Sequence, residues 1–197
     1  MNFGVAKEFE GKCVLRFDDT NPETSTQQYC DSIEKDVSWI LGKENVDENI
    51  NYTSNYFDKL YEYAVFLVKR KKAYVCSLPQ DVFARDYVGT TREVGKISPY
   101  FENRDTQDCL ELLKEMKDGK HAPGMHVLRA RIDMSSQNMV MRDPILMRVR
   151  EETHFRGGAR NIYPSYDFAH CISDALEGTS LSVLEREARE SVPFFCF

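Results

Sequence analysis

The run Cys13-Val14-Leu15-Arg16-Phe17 stops abruptly at Asp18-Asp19-Thr20-Asn21-Pro22. An apolar stretch this short, bounded by turn residues, reads as a buried strand, and Asn21 before Pro22 disfavours an immediate helix. The fold must therefore bury a strand whose carboxyl end carries two adjacent carboxylates. Helical periodicity follows: Tyr29, Ile33, Val37 and Ile40/Leu41 recur at spacings of three and four, and Gly42 suits a C-terminal cap. A second helix is expected to start near Ser54/Asn55, with Asp58 in its first turn and Tyr56, Leu60, Ala64 and Leu67 on one face. Its basic end, Lys69 to Lys72, suits the helix dipole. Strand, helix, helix points to an α/β layer.

The texture changes downstream. Asp105 to Lys117 reads as a short helix with Cys109, Leu113 and Met116 on one side and Gly119 at its stop. Leu128, Ala130 and Ile132 then alternate with Arg129, Arg131 and Asp133. Ile145, Met147 and Val149 alternate with Leu146, Arg148 and Arg150. This period of two predicts neighbouring antiparallel strands with one wet face. We place a smaller α+β insertion at residues 74–160, with Gly157-Gly158 as its exit turn. Ile162-Tyr163-Pro164 then reads as a short strand and turn, and Asp167 to Glu177 as a helix stopped by Gly178.

Composition narrows the class. At about 150 residues per domain, 197 residues allow one or two domains, and 42% hydrophobic content excludes a disordered or collagen-like chain. No apolar run approaches the roughly 18 residues of a membrane span, and Met1 to Glu8 do not read as a signal peptide. The net charge is −6, yet residues 61–160 hold 18 Lys/Arg against 14 Asp/Glu, so a basic middle lies between acidic ends and leaves room for an anionic ligand. The six cysteines are widely spaced without a C-x-x-C pair, the pattern of reduced thiols in a cytosolic protein.

Three constellations could carry chemistry. Asp18-Asp19 at a strand end could hold an ammonium group or a metal, or could cap the turn and pair with a structural arginine. Asp167, His170, Cys171 and Asp174 form one polar stripe of a helix, which suits a metal face, a His/Cys nucleophile pair, a pocket wall or a mutually satisfied polar seam. Arg129, Arg131, Arg148 and Arg150 could grip phosphates, or could pair across strands with Asp133, Glu151 or Glu152.

Specific motifs go further. Leu15-Arg16-Phe17-Asp18-Asp19-Thr20-Asn21-Pro22, Asp36-Val37-Ser38-Trp39, Tyr52 to Phe57, Lys72-Ala73-Tyr74-Val75, Leu128 to Met134, Met141-Arg142-Asp143-Pro144 and Ile162 to Phe168 occur in order. Together, over about residues 1–178, they resemble the catalytic core of class I glutaminyl- and glutamyl-tRNA synthetases. His170 to Gly178 resembles the glutaminyl pattern more than the glutamyl one.

The resemblance implies an α/β fold, a Rossmann-type nucleotide-binding core interrupted by an α+β acceptor-stem-binding insertion. Residues 1–73 would form the first part of the core and 74–160 the insertion. Residues 161–184 would return to the core, leaving 185–197 as a divergent tail. The implied activity is ATP-dependent activation of glutamine and its transfer to the 3′ end of a tRNA, with Mg2+ accompanying ATP as substrate. Asp18 would take the glutamine ammonium and Tyr166 would bind glutamine from the opposite wall. Arg16, Asp167, His170 and Glu177 would line or brace the pocket. Thr91, Arg129, Arg131, Arg148 and Arg150 would meet the tRNA. Thr91 sits where the family often carries an apolar residue that helps open the first acceptor base pair.

The family's two signature segments, His-Ile-Gly-His and Lys-Met-Ser-Lys-Ser, do not occur in these residues. Val183 falls near an expected ATP-contacting threonine. The expectation is thus a truncated core that is inactive as a ligase alone. The alternatives are a glutamyl-tRNA synthetase core and a non-catalytic tRNA- or partner-binding fragment. A cytoplasmic location is implied, with no membrane association, and membership of a multi-synthetase complex is possible for the family.

Overall fold

A computed structural model describes residues 1–46, 50–158 and 160–182. Val183 and the tail expected from 185 lie outside the described residues. The chain opens with helix α1 (Asn2–Glu8), followed by strand β1 (Arg16–Phe17) and helix α2 (Gln27–Leu41). Thr26 accepts the Tyr29 N–H at the start of α2, and Gly42 ends it at φ +84°. Strand β2 (Asn51–Tyr52) pairs in parallel with β1, Arg16 opposite Asn51 and Phe17 opposite Tyr52.

Helix α3 (Phe57–Lys69) begins after a 3-10 turn at Thr53–Tyr56. Its buried face is Phe57, Leu60, Ala64 and Val68, rotated slightly from the expected one because the turn delays the start. Strand β3 (Ala73–Cys76) leads to the short helices α4 (Gln80–Phe83) and α5 (Pro99–Asn103). Helix α6 (Thr106–Lys117) packs on α3 and buries Cys109, Leu113 and Met116 as expected; Asp105 caps it by accepting the Asp108 N–H.

Strands β4 (Val127–Ala130), β5 (Ile145–Val149) and β6 (Ile162–Pro164) complete an antiparallel sheet in the order β3-β4-β5-β6. The sheet therefore runs across both positions, 73/74 and 160/161, at which the sequence suggested boundaries. The architecture is mixed α/β, with one parallel and one antiparallel sheet. Its core gathers α3, α6, the four-stranded sheet and Phe168 and Ala169 of helix α7 (Tyr166–Glu177).

Two amphipathic readings need correction. Helix α2 forms, but Tyr29, Ile33 and Ile40 of its apolar face stay 63%, 45% and 68% exposed, and Cys30 is its buried residue. In β4, Leu128 and Ala130 point inward as expected, yet Arg129 is 2% exposed. The alternation rule assumes one wet face, whereas β4 is an interior strand covered on both. Arg129 donates from Nη1 to the Asp143 carbonyl at 2.9 Å and from Nη2 to Gln80 Oε1 at 2.6 Å. Its guanidinium lies 3.5 Å from the centre of the Phe83 ring. Arg129, expected to meet tRNA, is thus enclosed by the protein's own groups. In β5, Leu146 is buried beside Met147 because the register with β4 shifts between Leu128 and Arg129.

Arg129 and Arg131, two residues apart, should therefore behave oppositely. Arg129→Ala strands buried acceptors and opens a cavity, and should cost about 3 kcal/mol of unfolding free energy. The exposed Arg131→Ala should stay within about 0.5 kcal/mol of wild type. Urea denaturation followed by circular dichroism checks both.

Candidate functional site

The two carboxylates after β1 have different surroundings. Asp19 is 1% exposed; its Oδ1 accepts the Ser54 N–H at 2.8 Å, and its Oδ2 lies 3.4 Å from His154 Nε2. His154 Nε2 donates to the Asp19 carbonyl at 2.9 Å, while His154 Nδ1 accepts the Arg156 N–H at 3.2 Å. A carbonyl can only accept and an amide N–H can only donate, so this network assigns the imidazole proton to Nε2. Arg156 then donates to Ser54 Oγ at 2.8 Å and Asn55 Oδ1 at 2.6 Å, with its guanidinium 4.0 Å from the Tyr52 ring centre. Asp19 is thus a structural tie between the β1 turn, the start of α3 and the 154–156 loop.

Asp18 faces the other way, as successive residues of an extended chain do. Its side chain is exposed, yet protein on several sides strips part of its hydration. That loss is the largest influence and pushes the carboxyl above its ordinary pKa. The hydroxyl and N–H of Thr20 pull it back, Asp19 pushes it up and His170 pulls it down. Among the described residues no cationic side chain lies within ion-pair distance of Asp18.

Arg16, two residues before Asp18 in the chain, is committed elsewhere. Its Nη2 meets Asp174 Oδ1 at 2.6 Å and its Nη1 meets Glu177 Oε2 at 2.8 Å, both on α7. Burial opposes the charge on Arg16, but the two carboxylates outweigh it and raise its pKa. Burial also opposes ionisation of Asp174, and Ser182, Arg16 and His170 together hold it below the ordinary value. The Ser182 hydroxyl donates to Asp174 Oδ2.

Helix α7 starts where Ser165 accepts the Phe168 N–H and stops at Gly178, whose φ of +70° suits glycine. One face of the helix carries Tyr166, His170, Asp174 and Glu177. The Tyr166 and His170 rings are 5.3 Å apart, and His170 Nε2 lies 3.2 Å from Asp174 Oδ2. Burial first, then the charge of Asp18, raises the Tyr166 hydroxyl pKa. Cys171, part of the stripe read from the sequence, turns away and donates to the Asp167 and Phe168 carbonyls at 3.6 Å. Asp167 sits in the first helical turn. Among the described residues no group of three or more His, Cys, Asp or Glu could hold a metal ion. Five cysteines are free thiols; Cys196 lies outside the described residues.

The remaining arginines divide. Arg150 donates to Glu23 Oε1 at 2.9 Å, in the turn that follows Asp18. Arg148 is half-buried, with its Nε unpartnered. Loss of hydration, then repulsion from Arg150, lowers its pKa. An anion placed there would relieve both effects. Arg131 is exposed, with its guanidinium 3.9 Å from the Phe101 ring centre. It borders a cavity of about 780 Å3 lined also by Lys71, Tyr74 and Thr106, away from Asp18 and Tyr166. Thr91 is exposed on a loop braced by Arg142, a residue the sequence reading did not single out. The adjacent charges Arg142-Asp143, between the otherwise apolar Met139-Val140-Met141 and Pro144-Ile145-Leu146, were the available signal.

A family model described as tRNA synthetases class I (E and Q), catalytic domain, matches residues 1–196. Among curated proteins, the chain is 52% identical over 189 residues to the glutamine–tRNA ligase of Vibrio vulnificus (strain YJ016), covering 95% of this chain and 33% of that protein. It is 47% identical over 196 residues to the glutamine–tRNA ligase of Clostridium kluyveri, covering 99% of this chain and 34% of that protein. The chain spans about one third of the length of these relatives.

The clamp from Arg16 to α7 has a pH signature. A carboxyl held low in the folded state contributes stability above its ordinary pKa, and that contribution disappears as the pH falls through the lowered value. Asp174→Asn should therefore lose about 2 kcal/mol at neutral pH. The gap to wild type should close as the pH falls through the lowered Asp174 value, below which both side chains are uncharged. Denaturant titrations at several pH values measure the gap.

Proposed function

The chain belongs to the catalytic-domain family of class I tRNA synthetases (E and Q), and from that premise we propose that it forms the amino-acid- and acceptor-binding part of a glutamine–tRNA ligase. The observation that carries this reading is the Asp18 carboxylate, which Thr20 hydrogen-bonds but no cation among the described residues pairs with. Two neighbouring acids, Asp174 and Glu177, are neutralised by Arg16, and Asp19 is buried against Ser54 and His154. Asp18 is left to stabilise a cation that comes from outside, as the ammonium of an amino acid would.

Tyr166 stands near it with a hydroxyl that both donates and accepts, which suits a carboxamide. His170, Asp167 and Glu177 line or brace this neighbourhood, and Arg16 anchors it from beneath. The activity assigned is ATP-dependent formation of a glutaminyl adenylate and transfer of glutamine to the 3′ end of tRNA, with magnesium entering alongside ATP as substrate. Positioning and charge stabilisation would supply most of that catalysis.

Residues 74–160 are proposed to receive the acceptor stem. Arg148 and Arg150 suit phosphates, since Arg148 lacks a hydrogen-bonded carboxylate among the described residues and Arg150 reaches the turn behind Asp18. Arg131 and Thr91 add exposed contacts. The reading extends to a cytoplasmic location and to assembly with other synthetases, for both of which family membership is the support. No helix among the described residues is long and apolar enough to cross a membrane.

Calorimetry with glutamine tests the central assignment. Asp18→Asn should weaken binding roughly thirtyfold, the loss of one charge-assisted contact. N-acetylglutamine, which lacks the ammonium, should bind wild type about as weakly as glutamine binds the variant. Equal affinity of wild type for the two compounds would remove Asp18 from the site. For the RNA, Arg148→Ala should weaken binding of an acceptor-stem hairpin and lower the salt slope by about 1.

A further inference from the structure

The loop at residues 88–96 is built with more constraint than its exposure requires. Gly89 has φ +75°, and a Cβ there would meet the Glu93 and Val94 carbonyls at 2.9 Å. At Gly95 a Cβ would meet Met134 and the Tyr87 carbonyl at 2.8 Å. Both ends are tied by backbone bonds: Gly95 N–H to the Met134 carbonyl and Lys96 N–H to the Tyr87 carbonyl, each at 2.7 Å. Thr90 Oγ1 accepts the N–H groups of Arg92 and Glu93 at 3.2 and 3.1 Å.

At the centre lies Arg142, 2% exposed. Its Nε donates to the Ser136 carbonyl at 2.8 Å. Its Nη1 is shared among the carbonyls of Val88, Thr90 and Glu93 at 2.6, 2.9 and 3.0 Å. A guanidinium offers several donors in one planar fork, which a lysine ammonium cannot reproduce. Outside the clamp, the loop presents Thr91, Arg92, Glu93 and Lys96 to solvent, with Val94 62% and Ile97 55% exposed. Cations interleaved with exposed apolar side chains suit phosphates and the faces of unstacked bases.

We propose that Arg142 is a positioning residue that holds loop 88–96 in its RNA-binding conformation without itself touching the RNA. The inference rests on the acceptor-stem reading above and deepens it. Pre-ordering the loop removes an ordering cost that would otherwise be charged against binding.

Binding of an acceptor-stem hairpin RNA to the 197-residue chain, followed by fluorescence anisotropy across a salt series, tests it. Arg142→Lys keeps the charge and should still bind roughly five- to tenfold more weakly, with the wild-type salt slope, because no phosphate contact is lost. Amide exchange at Arg92 and Glu93 should rise. Thr90→Ala loosens the same loop from its exposed side and should weaken binding in the same way at an unchanged thermal midpoint; it decides the matter if Arg142→Lys fails to fold. Variants that exchange faster yet bind like wild type would overturn the inference and leave the RNA reading standing. A reduced slope for Arg142→Lys would also overturn it, by assigning the arginine a phosphate contact. Failure of the wild-type chain to bind the hairpin would overturn both.

Discussion

The arrangement around Asp18 depends on one ionic contact, the grip of Arg16 on Asp174 and Glu177. β1 is two residues long and has one neighbour, β2, so its ladder alone fixes little. The guanidinium bridges from this strand to the last turns of α7, and its planar fork fixes orientation as well as distance. With Asp174 pinned, residues four and eight positions earlier must lie on the same helix face. These are His170 and Tyr166. The ion pair thus sets which side of α7 looks over Asp18. It also commits the Arg16 guanidinium to α7, while Asp18 has no ion-pair partner among the described residues.

Asp18 and Asp19 show how little residue identity alone determines. They are adjacent and chemically identical, and extended backbone sends them to opposite sides. Asp19 enters a closed network with Ser54 and His154 and does structural work. Asp18 keeps contact with solvent, its ionisation opposed by lost hydration and supported by Thr20. An arriving ammonium would supply the missing counter-charge. On the proposed reading, the fold uses one acid to close the loop and the other to bind.

Where the sequence was legible, local chemistry decided the outcome. Helices α6 and α7 matched their expected positions because Asp105, Gly119, Ser165 and Gly178 are caps or stops whose preference is local. Pairing of β4 with β5 was legible from period-two alternation. The burial of Arg129 was not, because alternation says which residues share a face and not whether that face is covered. The exposed apolar face of α2 is the converse case, since periodicity marks amphipathicity without supplying a partner. The stripe on α7 was read one residue out of phase: Cys171 satisfies itself on its own helix, while Tyr166 completes the face. Arg131, Arg148 and Arg150 were read from type and spacing and Thr91 from the family resemblance alone, and their surroundings now differ widely.

That difference bears on the basic middle of the chain. A charge tally treats every arginine as part of one field, yet Arg129 and Arg142 are both 2% exposed and spend their donors on carbonyls and Gln80. Charges so enclosed shape the protein more than they attract an anion, because they are out of reach of solvent and spend donors on groups of the protein itself. The cations left to face a polyanion are fewer and grouped: Arg148 with Arg150 behind the Asp18 turn, Arg131 beside Phe101, and Arg92 with Lys96 on the braced loop. The two buried arginines tie backbone segments together: Arg129 the Asp143 carbonyl and Gln80, Arg142 the carbonyls of Val88, Thr90, Glu93 and Ser136. The electrostatic surface is thus a product of the fold's hydrogen bonding, and a count of basic residues overstates its strength while missing its geometry.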